Sequence, residues 1–123
     1  MKKKLRILAV DDNSISLATI EQELKDSYEV IPINSGVRAL KYLKKEKPDL
    51  IILDIQMALK DGIETLSEIR NMQGCKDIPV VVLTSKRDRE TILASSRLGI
   101  TGYVLKPFKQ QDLRRRIDRI LSK

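Results

Sequence analysis

The chain contains no histidine and no tryptophan, and it has a single cysteine, Cys75. Without histidine no Cys-His dyad can form, and a lone thiol can neither close an internal disulfide nor supply a cysteine-based metal site. Cys75 therefore reads as a tolerated thiol. Aromatic residues make up only 3% of the chain, so any core must be built from aliphatic side chains and few rings are available to stack on bases or flavins. Long apolar runs are also missing. The three lysines after Met1 and the apolar stretch up to Val10 imitate a secretory leader, but Asp11 and Asp12 cut that stretch short. Nothing approaches the roughly 18 uninterrupted apolar residues of a membrane span, and the expected location is the cytoplasm, without membrane insertion. There is no glycine-rich phosphate loop, linker, repeat or low-complexity segment.

What remains fits one ordinary domain, residues 1–123, large enough to bury a core without disulfides or a structural metal. With 41% hydrophobic and 33% charged residues the chain is globular rather than disordered. The formal charge of +7 raises the question of nucleic acid, and from Lys106 to Lys123 seven basic residues face two acidic ones, Asp112 and Asp118. No groove-reading motif or aromatic RNA signature accompanies them, so a protein partner or solvent is the better match for this basic segment.

Four short apolar runs, Leu5 to Val10, Leu50 to Leu53, Val80 to Leu83 and Tyr103 to Leu105, predict strands, with a weaker extended segment at Tyr28 to Ile33. Their near-continuous Ile, Val and Leu content, rather than alternation with polar residues, predicts strands covered on both faces, as in a parallel sheet. Helical spacing fills the gaps: Leu17, Ile20 and Leu24; Val37, Leu40 and Leu43; Ile63, Leu66 and Ile69; Leu113, Ile117, Ile120 and Leu121. Asp88 to Leu98 is the weakest helix. Asp61-Gly62-Ile63-Glu64 has the form of a helix start, Gly99 that of a helix stop, and Pro48 and Pro79 precede strands. Five β-α units with right-handed crossovers predict a doubly wound α/β fold, flavodoxin-like, with strand order 2-1-3-4-5.

In that order a ligand belongs outside the carboxyl ends of the strands, between the first and the third. Asp11 and Asp12 follow the first strand, Asp54 closes the third, Thr84 ends the fourth and Lys106 follows the fifth. Each has an ordinary explanation alone, since Asp is common in loops and helix caps. Together, three carboxylates at one sheet edge repel one another unless a hard divalent cation, Mg²⁺ inside cells, neutralises them. Mg²⁺ is commonly completed by phosphate oxygens, and the nearby lysine and hydroxyl suit an anion. Asp54 is then placed to act as a nucleophile and form an aspartyl-phosphate.

These residues resemble the response-regulator receiver family along the whole chain: Ile7-Leu8-Ala9-Val10-Asp11-Asp12-Asn13, Leu53-Asp54-Ile55-Gln56-Met57, Asp61-Gly62, Thr84-Ser85 and Lys106-Pro107. The resemblance implies a phosphoacceptor of two-component or phosphorelay signalling, not a turnover enzyme, charged at Asp54 by a histidine kinase or histidine phosphotransfer protein. It implies direct Mg²⁺ ligation by Asp12, Asp54 and the Gln56 backbone carbonyl, with Asp11 acting through a metal-bound water. It further implies a phosphoryl contact from Lys106, a cis peptide before Pro107, and a switch in which Thr84 moves toward the phosphoryl group and Tyr103 turns inward. That switch would alter the face of the fourth helix, fifth strand and fifth helix for a downstream protein, whose surface should be acidic to suit the basic final helix. Gln56 and Lys86 are positions expected to modulate the lifetime of the phosphorylated state. The chain departs from the family pattern at Met57-Ala58, where proline commonly replaces the alanine, so the geometry of the acceptor loop is less securely carried over. Three alternatives stand beside this reading: an aspartate-nucleophile phosphohydrolase, whose Asp-x-Asp differs from the adjacent Asp11-Asp12; a flavin or nucleotide module; and a receiver-like adaptor without phosphorylation.

Overall fold

The computed structural model describes residues 4–57, 62–85 and 89–122. Five strands alternate with five helices: β1 (Arg6–Val10), α1 (Ser14–Leu24), β2 (Glu29–Ile33), α2 (Gly36–Lys45), β3 (Leu50–Asp54), α3 (Gly62–Asn71), β4 (Val80–Thr84), α4 (Arg89–Leu98), β5 (Gly102–Leu105) and α5 (Gln110–Leu121). All strand pairs are parallel and the sheet order is β2-β1-β3-β4-β5. This is the flavodoxin-like α/β arrangement that the apolar runs predict.

The runs are continuous because each strand serves two cores. Side chains alternate across a sheet, so Leu8, Val10, Ile51, Leu53, Val80 and Val82 pack on one face under α2 and α3. Their neighbours Ile7, Ala9, Leu50, Ile52, Val81 and Leu83 pack on the other, under α1 and α5. Burying ten or more such side chains at roughly 1.5–3 kcal/mol each opposes the large conformational entropy of ordering the chain. β2 was the weakest strand signal for a physical reason. It lies at the sheet edge, where exposed Glu29 and Pro32 interrupt the apolar pattern and a proline removes no essential ladder bond.

Local signals agree with the boundaries. Asn13 caps α1, its side chain accepting the Ile15 and Ser16 N–H groups at 2.9 and 3.0 Å, and Ser35 caps α2 through the Arg38 N–H. Gly99 ends α4 in the left-handed region, φ 88°. Asp61, part of the expected start of α3, lies outside the described residues. One expectation is corrected: α2 buries Gly36, Ala39 and Leu43 with Leu40 at their margin, while Val37 is half exposed. Val37 has the right spacing from Leu40, but Gly36 and Ala39 take the inward positions, so the buried face is rotated away from Val37. Among the described residues, no helix is long and apolar enough to cross a membrane.

Gly62 governs how α3 leaves the sheet. Its N–H donates to the Ile55 carbonyl at 3.2 Å, and a Cβ there would lie 2.1 Å from Ile55 Cα and 2.4 Å from the Asp54 carbonyl oxygen. Both are backbone atoms at the end of β3, so Gly62→Ala must displace the segment that carries Asp54. We expect a loss of at least about 2 kcal/mol in urea denaturation. An alanine variant as stable as the parent would contradict the close approach.

Candidate functional site

The site forms where neighbouring crossovers part. From β1 the chain turns to α1 on one face of the sheet, and from β3 to α3 on the other, leaving a crevice between the carboxyl ends of β1 and β3. Val10 pairs with Leu53, so the next residues, Asp11 and Asp54, stand side by side. Asp11 is fully buried and Asp54 nearly so, whereas Asp12 is exposed at the rim. One carboxylate oxygen from each lies within 4.8 Å of the others.

Backbone and lysine hold this cluster. The Asp11 backbone N–H donates to the Ile33 carbonyl, and one Asp11 carboxylate oxygen accepts the Asn13 N–H at 2.9 Å. Asp54 Oδ1 accepts the Gln56 N–H at 3.0 Å. Lys106 reaches in from the end of β5, its Nζ 2.6 Å from Asp11 Oδ2 and 3.5 Å from both Asp54 Oδ2 and Ser16 Oγ. The Lys106 N–H donates to the Thr84 carbonyl at 2.7 Å, which ties the β5 end to the β4 end, and the Lys106–Pro107 peptide is cis as expected.

Three carboxylates against one ammonium leave two negative charges uncompensated. Burial, reinforced by repulsion from Asp11, pushes the Asp54 carboxyl up to about 6, against the opposing pull of the Gln56 N–H and Lys106. The donors are all hard oxygens and the excess charge equals that of one divalent cation, which matches the chemistry of Mg²⁺.

The remaining expected residues fall into place unevenly. Thr84 is buried at the tip of β4, opposite Leu105. Tyr103 is on β5 opposite Val82 and 41% exposed, an outward orientation. The Gln56 side chain reaches Ser85, its Oε1 accepting the Ser85 N–H at 2.9 Å and the Ser85 hydroxyl. Lys86 and Ala58 lie outside the described residues. Ser16, near Lys106, was not singled out by the sequence, and Ser85, bound by Gln56, entered only as the neighbour of Thr84 with no role of its own. A serine in the first turn of a helix or after a strand carries no signal of its own there.

The comparisons with known proteins converge on this geometry. The family model described as "Response regulator receiver domain" matches residues 7–118. The chain belongs to the response regulator receiver family. Chemotaxis protein CheY-3 of Vibrio cholerae is 31% identical over 125 aligned positions, covering all of this chain and 96% of that protein. The solved structure of chemotaxis protein CheY4 of Vibrio cholerae superposes with a TM-score of 0.91 at 30% identity, covering 96% of this chain and 99% of that one. The receiver domain of sensor histidine kinase PA1611 of Pseudomonas aeruginosa, with a magnesium ion coordinated in its active site cleft, gives a TM-score of 0.86 at 27% identity, covering 94% and 96%. Against other curated relatives, the chain spans about half their length.

The receiver is thus a phosphoacceptor of two-component signalling, a signalling component rather than a turnover enzyme, with the acidic pocket of Asp11, Asp12 and Asp54 and with Lys106 beside it. Receiver homologues bind Mg²⁺ at the aspartate cluster that this chain also carries.

A stability test follows from the raised Asp54 value. A carboxyl whose folded value of about 6 exceeds its unfolded value of 3.8 carries no penalty below both, loses stability as pH rises between them, and bears the full cost above about pH 6. Asp54→Asn should therefore stabilise the metal-free receiver by roughly 1–3 kcal/mol near pH 7.5, with the gain shrinking toward about pH 4.5. Urea denaturation with chelator at both pH values checks this. A pH-independent gain, or a loss, would remove the electrostatic account.

Proposed function

We propose that Asp54 is the phosphoacceptor and that Asp12, Asp54 and the Gln56 backbone carbonyl would hold Mg²⁺, with Asp11 acting through a metal-bound water. The observation that carries this assignment is the three-carboxylate cluster with Lys106 at its edge. When bound, Mg²⁺ would neutralise charge shared by the acceptor and the phosphoryl oxygens. Residues 1–123 include no histidine, so the phosphohistidine donor lies outside them, on a histidine kinase or histidine phosphotransfer domain. As the Asp54 oxygen–phosphorus bond forms, the phosphorus–nitrogen bond breaks. Its electron pair returns to the donor imidazole, which takes up a proton. Lys106, already bridging Asp11 and Asp54, is placed to follow the phosphoryl charge.

The donor's approach is supported by a cleft of about 330 Å³ beside the acceptor, lined by Ile15, Ser16, Ser85, Lys106, Pro107 and Phe108. Ile15 stands 76% exposed at its mouth and offers apolar contact. Residues 1–123 act in this proposal as one receiver unit in the cytoplasm, a setting that suits the free, buried Cys75 thiol.

The output is assigned to Thr84 and Tyr103. Val82 and Thr84 share one face of β4, and Tyr103 lies opposite Val82, so strand parity puts both on the α4 side of the sheet. Movement of the Thr84 hydroxyl toward a phosphoryl group would open space that the outward Tyr103 can fill. Lys86 is proposed to shield the phosphoryl group from hydrolytic water. Around Tyr103 a groove of about 740 Å³ is edged by Lys109, Arg115, Arg116 and Arg119, which suits an acidic downstream protein.

Incubation with acetyl phosphate and Mg²⁺ should add one phosphoryl group by intact mass, and Asp54→Asn should add none. Undiminished labelling of the asparagine variant would refute the acceptor assignment. For the output face, Arg115→Glu with Arg119→Glu should slow association with the downstream target about ten-fold at low salt while leaving phosphorylation intact. An association rate unaffected by both charge reversal and ionic strength would eliminate the acidic partner.

A further inference from the structure

Gln56 is used at both ends. Its backbone N–H donates to Asp54 Oδ1, and its side-chain oxygen accepts both donors of Ser85, the backbone N–H at 2.9 Å and the hydroxyl. The register explains the reach: Leu83 is the β-partner of Asp54, and Ser85 stands two residues beyond it at the carboxyl end of β4. One side chain therefore spans from the acceptor loop to the β4–α4 loop across the mouth of the site. The metal and acceptor roles use only the Gln56 backbone, and leave this side-chain bridge without a function.

Two convergent donors on one oxygen are what an anionic phosphoryl oxygen also requires, and Ser85 stands two residues past Leu83, the β-partner of Asp54. We propose that the Gln56 side chain is an internal competitor for the Ser85 donor pair, occupying it until a phosphoryl oxygen on Asp54 displaces it. The inference rests on the phosphoacceptor assignment and concerns what that site must give up when it is charged. A charged phosphoryl oxygen makes stronger hydrogen bonds than a neutral amide oxygen, so the exchange proceeds once the group has arrived. The bridge must still break, and the displaced amide turns to water at the exposed mouth. Gln56 in this way weakens binding of the phosphoryl group and keeps the two loops joined in the uncharged protein. Gln56 is a positioning residue here, acting through Ser85.

Two variants separate the lost acceptor from lost bulk: Gln56→Ala removes both, and Gln56→Met keeps the length without the oxygen. Both retain the backbone N–H and carbonyl, and binding is read at saturating Mg²⁺ for each protein, so a change in metal affinity does not enter the comparison. In the metal-free protein the Ser85 amide proton should move upfield in both, the NMR sign of a lost hydrogen bond. With Mg²⁺ present, beryllofluoride, a phosphoryl mimic that binds the acceptor carboxylate, should bind both variants about three- to ten-fold more tightly than the parent. Unchanged or weaker binding in both variants would overturn the competitor, as would tightening confined to alanine, which would trace the effect to bulk. If the parent itself fails to bind beryllofluoride, the phosphoacceptor assignment falls and takes the competitor with it.

Discussion

Two carboxylates buried side by side, Asp11 and Asp54, are the constraint on which the rest of the molecule turns. Parallel pairing of β1 with β3 leaves them no room to separate, and neither faces bulk water that could screen the repulsion. Lys106 relieves part of it from β5, and it can do so only because its backbone is tied to the end of β4. Four strands must therefore be in register before the cluster is tolerable. Even then one ammonium does not balance three carboxylates, and repulsion from Asp11 adds to the larger effect of burial in raising the Asp54 carboxyl. The same deficit makes the site receptive to a divalent cation, so instability of the free state and affinity for the metal have one electrostatic origin.

Much of this was legible in the sequence. The apolar runs announced strands buried on both faces, and five β-α units suggested the order that the sheet has, which placed Asp11, Asp12, Asp54, Thr84 and Lys106 at one sheet edge. The misses share a cause. Spacing along a helix marks a hydrophobic face but not its rotation to the nearest turn, so Val37 was assigned inward although Gly36 and Ala39 take the inward positions. Gln56 was expected to matter near the acceptor, but the direction of its side chain depends on the separation of two loops distant in sequence. No local pattern carries that separation, nor the backbone crowding that makes Gly62 indispensable as a glycine.

α4 and α5, which flank the proposed output face, are anchored differently. α5 is fastened to α1: Arg114 bonds Glu23 Oε2, the Glu23 carbonyl and Ser27 Oγ, and the Tyr28 hydroxyl donates to Asp118 at 2.5 Å. Such ties, lying partly buried between two helices, oppose rigid displacement of α5 and leave its basic face as a fixed platform. α4 is held at its far end, where the Arg70 guanidinium grips the Gly99 carbonyl and braces the carbonyls of Cys75, Lys76 and Ile78. Its near end follows the β4–α4 loop that Gln56 restrains through Ser85. In the proposed output, release of Ser85 would act on the chain just before the N-terminal end of α4. The charge proposed to recognise a partner thus sits on α5, the helix tied to its neighbour by side-chain hydrogen bonds, apart from the proposed switch at Thr84 and Tyr103.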